Sequence, residues 1–218
     1  MSIKYTKGEE ILNYLSHGAG ALLGICIAVW FISSFFAEDD SWMKAGIWLY
    51  LFGMFGSYLC STLYHAWPAG SHLKEKLRKW DHAAIYWHIA GSYSPITLVA
   101  LRDSGYWGWG LFLFIWSCAI VGTVMSFKNL KEHNNFETIC FVLMGLTILV
   151  AFKPLWSAVS SEVIWWIVGE GICYITGALF YSFHKRKYMH SVFHFFVLAG
   201  SVCHILAVWR MLVAIYPG

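Results

Sequence analysis

Charge is what this chain has least of. Only 12% of its 218 residues are Asp, Glu, Lys or Arg, about half the fraction of an ordinary soluble domain, while 59% are hydrophobic. A soluble core of this length cannot hide so much apolar surface, so lipid must cover part of it. The net charge of +3 is too small to indicate a nucleic-acid partner, and the partner expected is membrane lipid. Cysteine pairs are missing too. The six cysteines (Cys26, Cys60, Cys118, Cys140, Cys173, Cys203) all fall in apolar runs and none forms a CxxC pair. That pattern excludes a thiolate metal site and a disulfide framework, and leaves small polarisable core filler. No strong internal repeat, linker or compositional break divides residues 1–218, which read as a single membrane domain. Aromatic rings are abundant instead, with 13 Trp, 12 Tyr and 16 Phe, and such rings favour the membrane–water boundary.

Seven apolar runs are long enough to cross a bilayer as helices, which takes roughly 20 residues each with allowance for tilt. They are Ile11–Phe36, Trp42–Ala66, His82–Leu101, Trp107–Phe127, Phe136–Phe152, Val163–Phe183 and His190–Tyr216, the fifth being the shortest. The first is too long for a signal-peptide core and has no small-residue cleavage site before Glu38, so it is expected to be a retained span. The runs are too long and too uniformly apolar for barrel strands, and the fold class expected is an all-α integral membrane protein of seven helices. Pro95 removes one backbone hydrogen bond from the third helix and is expected to kink it. Basic residues set the orientation. Lys4, Lys7, Lys74, Lys76, Arg78, Lys79, Lys128, Lys131, Lys185, Arg186 and Lys187 fall on one side; Lys44, Arg102, Lys153 and Arg210 fall on the other. The positive-inside rule then puts the N-terminus in the cytoplasm and, with seven spans, the C-terminus outside a multi-pass cell (inner or plasma) membrane protein.

Ionisable groups in or beside a span are expensive and functional by default. Here they do not scatter. His65 ends the second span, Asp81 begins the third, and His190 and His194 begin the seventh, four residues apart on one helical face. Under the orientation just derived all four lie at cytoplasmic helix ends, so three segments deliver ligand-type side chains to one depth. Metal binding is the chemistry that wants this set. Neutral imidazole is a good Zn²⁺ ligand, and three His leave a fourth tetrahedral position for water, as in a catalytic site. Asp81 either binds the metal directly or holds that water. Ser61, one turn deeper than His65 on the same face, is placed for a supporting or substrate contact. The bland alternative, ordinary interfacial histidines, suits a lone His better than this cluster.

Glu10, Asn13 and His17 share a face of the first helix and either orient the ligands or cap the helix. His204 lies ten residues beyond His194, roughly 15 Å further along the axis, and cannot share its metal. His88 reads as a hydrogen-bonded core residue, and His72, His82, His133 and His184 as solvated. Glu170, mid-way along the sixth span, is either a proton or substrate contact or a helix–helix hydrogen bond.

At these residues the sequence resembles the haemolysin III family, the bacterial branch of the progestin and adipoQ receptor superfamily that includes adiponectin receptors. Three blocks carry the likeness across nearly the whole chain: Glu10-xx-Asn13-xxx-His17; Ser61-Thr62-Leu63-Tyr64-His65 followed by Trp80-Asp81-His82; and His190-xxx-His194. Ala90-Gly91-Ser92-Tyr93-Ser94-Pro95 is also similar to the family's third helix, whereas Glu170 departs from the small or apolar residue expected there. The resemblance implies seven spans and a zinc ion on His65, His190 and His194, with Asp81 reaching it through water. For adiponectin receptors it implies ceramidase-like hydrolysis of lipid amides. For the bacterial branch it implies a haemolysin label and roles in membrane-lipid or membrane-energy homeostasis.

Three functions compete. The first is a zinc-dependent hydrolase of a lipid amide or ester, with Asp81 as general base and Ser61 beside it. The second is a non-enzymatic membrane protein with a structural zinc, either a sensor or a pore-forming haemolysin or cytolysin. A pore calls for a polar stripe through several spans, and the strong polar groups gather at one end, Glu170 and His204 excepted. A proton-coupled transporter using those two residues comes last.

Overall fold

A computed structural model of the chain describes residues 5–129, 135–183 and 186–217. Lys4, Lys131, His133, His184 and Lys185, which enter the charge count and loop assignments above, lie outside these residues. The described residues form helices and connecting turns, with no strand among them. The helices are α1 (Lys7–Phe35), α2 (Ser41–Ala66), α3 (His72–Pro95), α4 (Trp107–Asn129), α5 (Asn135–Leu146), α6 (Phe152–Ala158), α7 (Ser161–Ser182) and α8 (Met189–Ile215).

Among the described residues, six apolar helical stretches are long enough to cross a membrane: Lys7–Phe35, Ser41–Ala66, Trp107–Lys128, Phe136–Ala158, Ser161–Ser182 and Met189–Ile215. Their outward faces are apolar. On α1, Leu15, Leu22, Ile25 and Val29 are exposed at spacings of seven, three and four, while Asn13, His17 and Gly20 are buried. A helix with apolar residues outside and polar ones inside inverts the soluble pattern and requires a lipid solvent. The protein is an all-helical, multi-pass membrane protein.

The third expected span departs from the others. Helix α3 starts at His72, ten residues before the apolar run, because Ser71 caps it by accepting from the Lys74 N–H at 3.1 Å. Its first turns are charged and carry Lys74, Glu75, Lys76, Arg78 and Lys79. From Ala90 to Val99 every residue is buried among neighbouring helices. A helix screened from lipid can be polar, which is why this one falls short of the apolar character of the other six. It packs closely on α2. A β-carbon on Gly91 would lie 2.7 Å from the Leu49 carbonyl oxygen, and one on Gly53 would collide with the Trp87 carbonyl, so only glycine permits this approach.

After Pro95 the helix widens into a π-helical turn, Ile96–Ala100, in which the Leu101 N–H donates to the Ile96 carbonyl at 2.9 Å. The fifth apolar run extends to Ala158 rather than Phe152 and is interrupted by a 3₁₀ turn at Thr147–Ala151. Tyr93 of α3 stabilises the interruption. Its hydroxyl donates to the Gly145 carbonyl at 2.6 Å and accepts from the Ile148 N–H at 2.8 Å, satisfying groups that lipid cannot.

Two apolar cores fill the bundle. One joins Ile27, Phe31 and Phe35 of α1 to Met43, Ile47 and Met54 of α2 and to Val208, Met211 and Leu212 of α8. The other joins α3, α4 and the α5–α6 segment around Tyr86, Ile96, Ile115, Met144 and Leu155. The first core occupies one end of α1, α2 and α8. The opposite end of the same helices is polar.

Candidate metal centre and its cavity

Three imidazoles meet at that polar end. His65 comes from the last turn of α2, and His190 and His194 from the first turns of α8. His190 Nε2 lies 3.2 Å from His65 Nε2 and 3.0 Å from His194 Nε2. One nitrogen from each ring therefore converges on a single point, and the three donors fall within 4.8 Å of one another.

The outer nitrogens explain why the inner ones converge. His65 Nδ1 lies 2.7 Å from Glu10 Oε2, and a carboxylate there fixes the proton on Nδ1 and leaves the Nε2 lone pair facing inward. Lys74 donates to the other Glu10 oxygen at 2.8 Å. His194 Nδ1 lies 3.3 Å from the Asn13 carbonyl, which assigns the same tautomer to this ring. The Asn13 side-chain oxygen in turn accepts from the Ser191 hydroxyl at 2.6 Å. Asn13 thus joins α1 to α8 with no exposure of its own. His17 stacks on His194 with ring centroids 3.5 Å apart.

A metal ion fits this arrangement. Tetrahedral Zn²⁺ with Zn–N bonds of 2.0–2.1 Å separates its ligand nitrogens by about 3.3 Å, close to the two distances found here. Imidazoles whose outer nitrogens are tied to oxygen acceptors, as those of His65 and His194 are, are the donor chemistry that such an ion takes. Tyr5 covers the centre from the N-terminal side, stacked 5.0 Å from His190. Burial, with smaller effects from Tyr64, Tyr181, Asp81 and Glu10, pushes the Tyr5 phenol well above its usual range and keeps it neutral.

Beside the centre lies a cavity of about 430 Å³. His190 and His194 form part of its wall, together with Asp81, Ser61 and His17. Most of the remaining wall is apolar, aliphatic and aromatic, supplied largely by α3, the α5–α6 segment and α7. The structure therefore brings His65, His190 and His194 together and sets Glu10, Asn13 and His17 against them. Asp81 and Ser61 stand on the cavity wall, and the Asp81 carboxylate is not among the donors within 4.8 Å of one another.

His82 is a correction. It was expected to be solvated at a helix start, but α3 begins ten residues earlier, so His82 sits in the third turn, lines the cavity and lies 3.0 Å from the Arg78 carbonyl. The polar groups also extend further than a single end. Ser201 contacts the Tyr58 hydroxyl at 2.7 Å, the Tyr174 hydroxyl at 3.3 Å and His88 Nε2 at 3.4 Å. Beyond it His204 Nδ1 meets Glu170 Oε2 at 2.7 Å.

Four residues that matter here are not singled out by the sequence. Glu137, 5% exposed, lines the cavity; an acid two residues into an apolar run was its signal. Glu9 completes a capping box with Thr6 and accepts from the Tyr188 N–H at 2.8 Å, holding Tyr188 at φ 65° just before His190. For a residue other than glycine, that conformation is strained and needs such a tether. Lys74 and Tyr5 act across elements and leave no local signal.

The fold and centre define a class: polytopic helical membrane proteins with a largely buried three-histidine group able to hold a metal ion. Residues 5–205 match the family described as haemolysin-III related. The chain is 36% identical over 195 residues to Hemolysin-3 of Bacillus cereus, covering 88% of this chain and 87% of that protein. It is 34% identical over 204 residues to the Hemolysin-3 homolog of Bacillus subtilis strain 168, covering 94% of each. A human relative, the monocyte to macrophage differentiation factor, is 27% identical over 181 residues, covering 80% of this chain and 74% of that protein. The chain belongs to the haemolysin III family.

Proposed function

We propose that the protein is a seven-span zinc hydrolase that cleaves a lipid amide or ester and serves membrane homeostasis. In this reading α3 is the third of seven spans, the whole chain is one domain, the N-terminus is cytoplasmic and the C-terminus is outside. The observation that carries the proposal is the convergence of three Nε2 atoms, two of them on buried histidines, beside an apolar cavity whose wall includes a carboxylate. A lipid acyl chain matches the apolar wall, and its carbonyl can reach the histidine end from within the membrane.

Zinc bound by His65, His190 and His194 would lower the pKa of a water to about 7 and polarise the carbonyl. The protein's own groups do the rest. Asp81 accepts the proton of the attacking water and returns it to the leaving nitrogen or oxygen. Ser61 holds the substrate head group by hydrogen bond. Glu10 and Asn13 keep the His65 and His194 imidazoles in the tautomer that presents Nε2. Apolar walls keep bulk water from the substrate chain.

Turnover of lipid amides and esters by the purified protein tests this, with chelator and with zinc restored. Hydrolysis that stops with chelator and returns with zinc supports the reading, and hydrolysis indifferent to both refutes it. A structural zinc without catalysis is the second reading. The position of the Asp81 carboxylate outside the histidine group favours it. Equal zinc content with no turnover of any lipid would establish it.

A further inference from the structure

The histidine centre has two approaches of different character. On one, His190 and His194 face the cavity, whose wall is mostly apolar. On the other stands Tyr5, which takes no part in that wall. Its ring stacks on His190 at 5.0 Å between centroids and meets His65 edge-on at 5.6 Å, so one side chain covers two of the three ligand rings. The flank of His194 is closed by the His17 ring, stacked 3.5 Å away, and by buried Asn13. Partly exposed charges lie near Tyr5. Glu10 is bonded to His65, carries Lys74 on its other oxygen and is close enough to act on the Tyr5 phenol. An ion that exchanges with water is drawn to this side, because a divalent charge against an apolar wall is expensive.

Tyr5 precedes the helical hydrogen bonds of α1, whose N-cap is Thr6. A carboxylate holds it in place instead. Glu9 Oε2 accepts from the Thr6 N–H at 2.8 Å and from the Thr6 hydroxyl at 2.7 Å. The other oxygen, Oε1, accepts at 2.8 Å from the N–H of Tyr188, two residues before His190. One buried side chain thus pins both the residue after Tyr5 and the start of the helix that carries His190, and keeps the two stacked rings together. We propose that Tyr5 is a lid on the aqueous side of the histidine centre, latched by Glu9, and that the metal ion enters and leaves past it. A lid has a kinetic signature. Its removal speeds uptake and release alike, whereas loss of a residue that supports the ligands weakens binding. The proposal rests on the zinc reading for the identity of the ion, and not for the lid itself.

The test is the rate of zinc exchange in purified full-length protein in nanodiscs, read as release into excess EDTA and as uptake by metal-free protein. Tyr5→Ala should release and take up zinc about tenfold faster than wild-type protein, the factor that one stacked aromatic contact is worth, with the equilibrium affinity unchanged. Tyr5→Phe should keep the wild-type rates, because the ring and not the phenol is the cover. Glu9→Gln should fall between them, and it serves if Tyr5→Ala does not fold. Wild-type rates in Tyr5→Ala would overturn the proposal and route the ion through the cavity. Weaker binding with unchanged uptake would overturn it too, and make Tyr5 a support for the ligands. A second readout needs no zinc. In metal-free protein, diethyl pyrocarbonate should label His65 faster in Tyr5→Ala than in wild-type protein; His65 is the reporter because it is buried and, unlike His190 and His194, does not line the cavity. Faster labelling in a protein that takes up no zinc would retain the lid and remove the zinc reading. Zinc binding with exchange and labelling both indifferent to Tyr5 would do the reverse.

Discussion

The two ends of α1, α2 and α8 are built on opposite principles. At one end Asn13, His65, Ser191 and His194 are all buried and find their partners on another of the three helices. At the other end Phe31, Met43, Ile47 and Leu212 interlock with no exposure at all. Only beyond them does a polar group join elements there. Asp40 caps α2, accepts from Arg102 at 2.9 Å and from the Tyr216 hydroxyl at 2.6 Å, and so ties three segments together outside the spans. The difference marks the polar end as the candidate functional site. Within the spans, packing holds the apolar end without buried hydrogen bonds between helices, so those at the other end are not needed to assemble a bundle. They orient imidazoles.

Four substitutions should separate the ends. The largest effect is expected from replacing His190 and His194 together with Ala. Purified wild-type protein should carry about one zinc per chain, and the double variant should carry none, because the remaining His65 cannot hold the ion alone. Elemental analysis of both preparations decides this, and full occupancy in the variant would show that the ligands lie elsewhere. Phe31→Ala works at the opposite end. It should cost about 3 kcal/mol of stability, read from denaturant unfolding in detergent, and leave zinc stoichiometry unchanged. Loss of zinc in that variant would mean that the two ends are not independent.

Glu10→Gln comes third. It keeps a hydrogen-bond acceptor for His65 but removes the charge, and zinc affinity measured by chelator competition should fall about 10–100-fold. The smallest effect should come from the Asp40 clamp. Asp40→Ala should cost about 1 kcal/mol, as loss of an N-cap does. The clamp also has a pH signature. Burial pushes the Asp40 carboxyl up, but the Tyr216 hydroxyl, the Met43 N–H and Arg102 together outweigh it and bring the pKa down to about 2. A pKa lower in the folded state stabilises that state once pH exceeds the unfolded value near 4. The contribution is lost as pH falls from about 4 through about 2. Thermal melts across that window should therefore fall more steeply for wild-type protein than for Asp40→Asn, and parallel curves would remove the clamp from the account.

What could be read from the sequence follows from where each signal resides. The three histidines were legible because two are spaced on one helical face and all three sit at helix ends, where hydropathy changes. Glu10, Asn13 and His17 were legible as a face, although not as partners of particular rings. The start of α3 was not, because hydropathy senses lipid and this helix continues ten residues beyond its apolar run. Its wholly buried stretch from Ala90 onward reads as a weak span for the same reason: other helices, not lipid, surround it. Lys74, Tyr5 and Glu9 act on residues far away in the chain, and no local pattern records such a pairing. The interruption at Thr147 was hidden as well, since the Tyr93 hydroxyl that satisfies it lies more than 50 residues away.

Asp81 is where chemistry and scaffolding separate most sharply. Zinc stoichiometry and lipid hydrolysis should be measured together on one preparation of Asp81→Asn, beside wild-type protein. The substitution keeps the size of the side chain and removes the base. If Asp81 accepts the proton of the attacking water, the variant should retain about one zinc per chain and lose turnover roughly a hundredfold or more. Retained zinc with unchanged turnover would contradict the catalytic role of Asp81.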